Sequence, residues 1–324
     1  PTLAFGVGDR SLVSGIFQSS PQSLLKKTNL QKHTRWIMDE ARSLILPTDG
    51  GKPDFASGSL FFIGNATVLL RYAGFTILTD PNFLHQGDHV HLGYGIRSAR
   101  RTNPAIEMEE LPPLDFVVLS HLHEDHFDRM VEQKLNKDLP IVTTNHASDG
   151  LKEKGFNSPH GLNTWETLNV VKGDAQIRIT SMPGRHGPGA LAAMLPPVMG
   201  SMLEFQTPAG KTGFRLYITG DTLVYDQIKE IPKQYPDIDL ALIHLGGTKV
   251  FGVLLTMDAK QGVEAIQIIA PQTAIPIHYN DYTVMKSPIE DFMKAVVAAG
   301  LENRVKYLSH GDTYTFNLPT SRLQ

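Results

Sequence analysis

Six consecutive residues, His121-Leu122-His123-Glu124-Asp125-His126, carry the side chains that a metal site needs. They follow a strongly apolar run over 114–120. They precede Phe127, Met130, Val131 and Leu135, which fall at helical spacing. In an extended segment, residues two apart point the same way, so His121 and His123 can grip one ion from one side. Asp125 and His126 lie where the chain turns into the helix and can face a second ion. Divalent metals take neutral imidazole nitrogens and carboxylate oxygens at about 2.0–2.2 Å, and the run supplies both. The competing reading is a solvated polar turn, or histidines satisfied in the core. An apolar strand ending in so many polar or ionisable neighbours argues against it.

Four residues do not complete two metal shells. Three later residues at expected strand ends are candidates: His186 in the loop 183–189, Asp221 in Thr219-Gly220-Asp221, and His278 in Pro276-Ile277-His278-Tyr279. Each is weak alone. A loop histidine is a surface residue more often than a ligand, and an aspartate after glycine is more often a turn or cap. Together they suggest three imidazoles on one side and a mixed set on the other.

The elements that would position these residues read as strands and helices in two similar halves. Residues 59–63, 67–72 and 75–79 are short apolar runs broken by Gly-Asn and Ala-Gly, the pattern of a meander. Strands are also expected at 114–120, 141–144, 167–171, 175–182, 214–219, 238–244 and 273–277. Ala259, Val263, Ile266 and Ala270 make one helical face. Ser287-Pro288-Ile289-Glu290 reads as a capping box, with Gly300 ending that helix. The run 238–244 resembles 114–121, and Gly220-Asp221 follows its strand as Asp80 follows 75–79. This approximate duplication predicts an α+β or α/β protein of two sheets packed face to face with helices outside. Residues 1–58 read as an N-terminal extension packed on a main body at 59–324. A helix is expected over 23–46, stopped by Pro47.

Composition limits the chemistry. The chain has 324 residues, 41% hydrophobic and 19% charged, which excludes wholesale disorder. Its net charge of −3, with no basic arm or aromatic–basic interleaving, gives no reason to bind nucleic acid. No apolar run reaches the ~18–20 residues of a membrane span, so no integral membrane segment is expected. The first residues lack the pattern of a secretory leader, which leads to the expectation of a cytoplasmic protein. Cysteine is absent, which excludes disulfides, thiolate metal sites and a cysteine nucleophile. Any metal must therefore be held by histidine and carboxylate.

His121-Leu122-His123-Glu124-Asp125-His126, the later His186, Gly220-Asp221 and Pro276-Ile277-His278, in that order, resemble the metallo-β-lactamase superfamily. The resemblance covers residues 59–317. It leans toward the branch of ascorbate-6-phosphate lactonase-like enzymes and the N-acyl phosphatidylethanolamine-hydrolysing phospholipase D. Gly64-Asn65-Ala66-Thr67, Thr79-Asp80-Pro81, the segment 110–115 and Pro276-Ile277-His278-Tyr279 carry that lean. It implies a four-layer αββα sandwich. It also implies that His121, His123 and His186 hold one ion, that Asp125, His126 and His278 hold the other, and that Asp221 bridges them. Asp80 would orient the metal histidines from behind. His244, equivalent to His121 in the second half, would stand near the ligands without being one. Relatives that bind di-iron for redox chemistry place a glutamate where this chain has His123, which favours hydrolysis.

Seven such ligands leave a two-ion site cationic. Coordination would lower the pKa of water from 15.7 to ~7, so a bridging hydroxide can attack an ester, lactone or phosphodiester bond. Asp125 would orient the hydroxide and take its proton. The expected ions are two divalent metals, zinc by default, with manganese and iron as alternatives. The competing functions are a metal-dependent oxygenase or redox protein, and a non-catalytic metal-binding protein, on the same scaffold. The expected partner is a small-molecule substrate, anionic with an apolar portion, and a homo-oligomer is compatible with the sequence. Residues 82–101, with their arginines, could form a lid with an anion-binding edge, but a surface loop with solvated arginines is the better reading of any one arginine. Residues 190–202 are apolar and Met-rich and could line a pocket, the core or a dimer contact. Lys249, which could reach an anionic group but reads more readily as solvated, and Tyr279 are further candidates near the substrate.

Overall fold

Within the strand Ser57–Gly64, Leu60 and Phe62 enter one apolar layer while Ile63 enters another. This is the period-two alternation of a strand buried on both faces. The same pattern recurs along the chain and dictates a layered architecture. The computed structural model describes residues 42–48, 50–93 and 95–323.

In chain order the strands are β1 (Arg42–Leu46), β2 (Ser57–Gly64), β3 (Thr67–Tyr72), β4 (Phe75–Thr79), β5 (His89–His91), β6 (Arg97–Ala99), β7 (Phe116–Val118), β8 (Ile141–Thr144) and β9 (Pro159–Leu162). The second half adds β10 (Thr167–Lys172), β11 (Ala175–Met182), β12 (Gly200–Gln206), β13 (Thr212–Ile218), β14 (Leu240–His244), β15 (Lys249–Val250), β16 (Val253–Leu254), β17 (Thr273–Ile277) and β18 (Thr313–Asn317). The helices are α1 (Arg129–Lys134), α2 (Asn145–Glu153), α3 (Ile231–Gln234), α4 (Ala259–Ile269), α5 (Ile289–Ala298) and α6 (Thr320–Leu323).

Two seven-stranded sheets result, ordered β18-β2-β3-β4-β7-β8-β9 and β1-β10-β11-β12-β13-β14-β17. Both are mixed. In each, antiparallel neighbours lead to a strand that then pairs in parallel, β4 with β7 and β13 with β14. The duplication expected from the sequence is therefore real in the topology. Asp80 follows β4 as Asp221 follows β13, and His121 follows β7 as His244 ends β14. The inner core lies between the sheets, where Leu70, Tyr72 and Phe75 meet Leu203, Phe205 and Phe214. The Tyr72 and Phe205 rings meet edge-on at 4.9 Å. Outside, Val131 of α1 and Leu151 of α2 cover Leu78 and Val117, and Ile266 of α4 and Phe292 of α5 cover Ala241 and Ile243. The four layers are helix, sheet, sheet, helix. Among the described residues, no helix is long and apolar enough to cross a membrane.

Three sequence expectations need correction. The helix expected over 23–46 falls mostly outside the described residues, but 42–46 form β1. That strand pairs in parallel with β10, and Arg42 donates to the Gly161 carbonyl at 2.6 Å. A free sheet edge outweighs local helix propensity there. The capping box at Ser287 does not form: Pro288 is the N-cap of α5, and the Ser287 hydroxyl accepts from Ala259 N–H at the start of α4 instead. Residues 190–202 divide between roles, because Leu191, Met194 and Leu195 line a cavity while Met199 and Met202 are core and 200–206 is β12.

Candidate metal centre

The polar strand ends of both sheets meet at one edge of the sandwich. His121 and His123 leave β7 in extended backbone, and His186 arrives from the loop after β11. One ligand-type atom from each lies within 4.8 Å of the others. His121 Nε2 and His123 Nδ1 are 2.9 Å apart. The Ser120 hydroxyl stands 3.0 Å from His121 Nδ1. His186 Nδ1 is 3.1 Å from the Leu255 carbonyl, which can only accept, so Nε2 is the atom left for an ion.

A second cluster joins Asp125, His126, Asp221 and His278, again within 4.8 Å. His126 Nε2 is 3.2 Å from Asp221 Oδ2, and His278 Nε2 is 3.5 Å from Asp125 Oδ2. The two clusters adjoin, with the His121 and His126 rings 4.3 Å apart. All seven sequence candidates are thus brought together, and Asp221 falls with the mixed set.

Asp80 and His244 stand behind these residues. Asp80 Oδ1 accepts from Ser120 N–H at 2.7 Å, and Oδ2 lies 3.3 Å from His126 Nδ1 and 3.2 Å from His244 Nε2. Both of its oxygens are engaged, one of them beside His126 Nδ1, the side of the ring that faces away from the mixed cluster. Tyr279 takes no such place, because its hydroxyl donates to the Leu308 carbonyl at 3.0 Å. Lys249 is exposed on β15 and is not among the residues lining the cavity described below.

Electrostatics separates the clusters. Burial, reinforced by neighbouring imidazoles, holds His121 well below its ordinary pKa and brings His123 down to about 4. Burial also lowers His186. For His126, burial is outweighed by Asp221, Asp125 and Asp80, which push it well above the ordinary value. For His278, burial is outweighed chiefly by Asp221 and Asp125, and the pKa rises. For Asp80, burial is outweighed by His126 and His244, and the carboxyl falls to about 2.

A metal fit can be tested on unpartnered atoms. Among the described residues, four buried polar atoms without a hydrogen-bond partner fall in the second cluster: Asp125 Oδ1, His126 Nε2, Asp221 Oδ1 and His278 Nε2. Buried groups of this kind are costly unless something satisfies them together. A divalent cation does so, and the donor set suits one.

Backbone strain holds the arrangement. Asp80 and His278 have φ of +33° and +58°, left-handed values that non-glycine residues rarely adopt. Gly220 has φ +63°, and an added Cβ would sit 2.6 Å from the Met199 carbonyl oxygen. Gly220→Ala is expected to cost about 1–3 kcal/mol of stability. Chemical denaturation of the metal-free protein reads this, and an unchanged midpoint would refute it.

Sequence reasoning missed three supports. Asn65, also left-handed at φ +53°, donates from Nδ2 to the Asp125 carbonyl at 2.6 Å and accepts from His278 N–H at 2.7 Å. It thereby ties two ligand candidates from distant segments. Buried Asp281 accepts from Asn65 N–H at 3.0 Å, and Arg100 lies beside it at 3.9 Å, fully buried. Arg100 is therefore structural, not an anion-binding edge. The Gly64-Asn65 step was the one available signal for Asn65.

The third support is Glu124. It accepts from His91 N–H at 2.6 Å and from Arg129 at 3.0 Å, and Arg129 also holds Asp88 at 3.0 Å. This clamp pins the β5–β6 hairpin beside a cavity of about 310 Å³. His123, Asp125, His186 and Asp221 lie in the cavity wall, and the hairpin contributes Leu92 and Ile96. Glu124→Ala is expected to raise KM about three- to tenfold, the loss of roughly one charge-assisted contact. Metal content should not change. Steady-state kinetics beside metal analysis checks this, and a fall in kcat with unchanged KM would contradict it.

The beta-lactamase superfamily domain matches residues 76–279, more than half of the chain. A UPF0173 metal-dependent hydrolase of Archaeoglobus fulgidus is 30% identical over 220 residues, 66% of this chain and 87% of that protein. UPF0173 protein YddR of Bacillus subtilis is 28% identical over 266 residues, 78% of this chain and 98% of that protein. Among solved structures, an isothiocyanate hydrolase from Delia radicum gut bacteria aligns with a TM-score of 0.68 at 20% identity, covering 80% of this chain and 99% of that one. That likeness speaks to the fold. With the duplicated sheets and the convergent His/Asp clusters, these matches mean that the chain belongs to the beta-lactamase superfamily and, within it, to the UPF0173 family.

Proposed function

We propose that this protein is a dinuclear metal-dependent hydrolase acting on an ester, lactone or phosphodiester bond of a small molecule. The observation that carries the reading is the set of four unpartnered buried atoms on Asp125, His126, Asp221 and His278, beside a three-histidine cluster and next to a cavity. The similarity to metal-dependent hydrolases of the UPF0173 family supports it.

His121, His123 and His186 would hold one ion, Asp125, His126 and His278 the other, with Asp221 between them. Zinc is the ion that a histidine-rich set favours by default. When bound, two divalent ions supply Lewis acidity and bring the pKa of water toward ~7. Asp125 lines the cavity and keeps Oδ1 free, so it can orient a nucleophilic water and take its proton. Asp80 keeps the His126 ring aligned while charge changes in front of it. The range of scissile bonds follows from the likeness to the lactonase and phospholipase D branch.

Metal content measured together with a hydrolysis screen over lactones, carboxylic esters and phosphodiesters tests the reading. Turnover that tracks two bound ions per chain is expected. A metal-loaded protein inert across the panel, or iron with oxygen consumption, would overturn it.

A further inference from the structure

The cavity beside the metal centre has a one-sided chemistry. Among the described residues, and apart from the candidate ligands, Thr248 is the only polar side chain in its wall. Leu92, Ile96, Leu191, Leu195, Val250 and Leu255 form most of the remainder. At the cavity's rim, Phe251 is 95% exposed and Met194 is 59% exposed. Among the described residues, neither lysine nor arginine lines it.

Among the described residues, the arginines placed above and Arg185 stand outside that wall. Arg100 is buried against Asp281, Arg129 bridges Glu124 and Asp88, and Arg185 lies over the Tyr225 ring at 4.4 Å. A charge on the body of a bound molecule would lose its hydration here and find no partner. Apolar surface would be rewarded instead, and a cavity of about 310 Å³ suits a compact body.

We infer that the substrate has an uncharged, compact aliphatic or aromatic body, whose only strongly polar group, charged or not, is the one delivered to the metal centre. This rests on the hydrolase reading above and narrows it. Sugar phosphates, nucleotides and substrates with a second anionic group fall outside the class. The anionic character expected from the cationic centre is then confined to the reacting group.

The test separates this inference from the hydrolase reading. Zinc-loaded full-length protein is titrated calorimetrically with straight-chain alkyl hydroxamic acids of two to eight carbons, and with the same chains ending in a carboxylate. Affinity is expected to rise about three- to fourfold per methylene until the cavity is filled. The terminal carboxylate is expected to weaken binding at least about tenfold. A flat dependence on length, or tighter binding of the carboxylates, overturns the inference whether or not any substrate is turned over. Conversely, a clear length dependence with no hydrolysis across the ester, lactone and phosphodiester panel defeats the hydrolase reading and leaves the apolar class standing.

Met194→Arg changes an exposed rim residue, so its folding is not at risk. It should bring the carboxylated chains to within about threefold of the neutral ones. Selectivity unchanged in that variant would place the chain body elsewhere and overturn the inference.

Discussion

Asp221→Ala is expected to lower kcat/KM by at least about a thousandfold, roughly 4 kcal/mol of transition-state stabilisation. Asp221 is buried, stands 3.2 Å from His126 Nε2 and 3.5 Å from His278, and also lines the cavity. Asp125 also approaches both histidines, at 3.8 Å and 3.5 Å, but Asp221 comes nearer to His126. Removing it leaves His126 and His278 with less opposing charge, so both imidazoles and any ions between them repel one another more strongly. Alanine opens a small gap without strain, so the fold should survive. Metal analysis should then show fewer than two ions per chain alongside the lost activity. Full activity in a metal-depleted Asp221→Ala protein would rule the mechanism out. His123→Ala tests the other cluster in the same way.

Acid should strip the two clusters in order. Burial and neighbouring imidazoles keep His121, His123 and His186 below their ordinary pKa, with His123 at about 4. These rings resist protonation as pH falls, so an ion meets little competition from protons there. Burial works against charge on His126 and His278 too, but Asp221, Asp125 and, at His126, Asp80 outweigh it. In the metal-free protein their raised values favour a bound proton, which an ion must displace. Affinity at the mixed cluster therefore falls about tenfold per pH unit and per displaced proton as pH drops. Affinity at the three-histidine cluster holds until those rings begin to protonate. Two ions per chain at pH 8 and about one near pH 5.5 are expected, with turnover disappearing over the same interval. Metal stoichiometry after dialysis at a series of pH values measures this. Simultaneous loss of both ions would show that the clusters do not differ as their charges imply. So would an ion that survives acid in the His123→Ala protein.

Much of this centre was legible in the sequence because its ligand candidates sit at strand ends. An apolar run that stops abruptly in histidine and aspartate is hard to read otherwise, and His121 to His126 do this within one turn. Gly220-Asp221 and Pro276-Ile277-His278 follow the same rule. The likeness of 238–244 to 114–121 pointed to paired sheets, which the β4–β7 and β13–β14 pairings bear out. Where the rule does not apply, reading failed. Arg42–Leu46 carries no alternation strong enough to announce a strand, and β10 alone makes it one. Arg100 looked like any loop arginine until Asp281, far along the chain, was seen beside it.

Residue type and local order by themselves determined which atoms are able to bind metal, and that they would lie at the ends of buried strands. Only the tertiary structure decided how those atoms divide, which imidazoles are neutral, that Glu124 holds a hairpin, and that the cavity wall is apolar. The physical reason is range. The face a strand residue takes is set by its neighbours in sequence, whereas charge, burial and cavity shape depend on groups brought together from segments far apart along the chain.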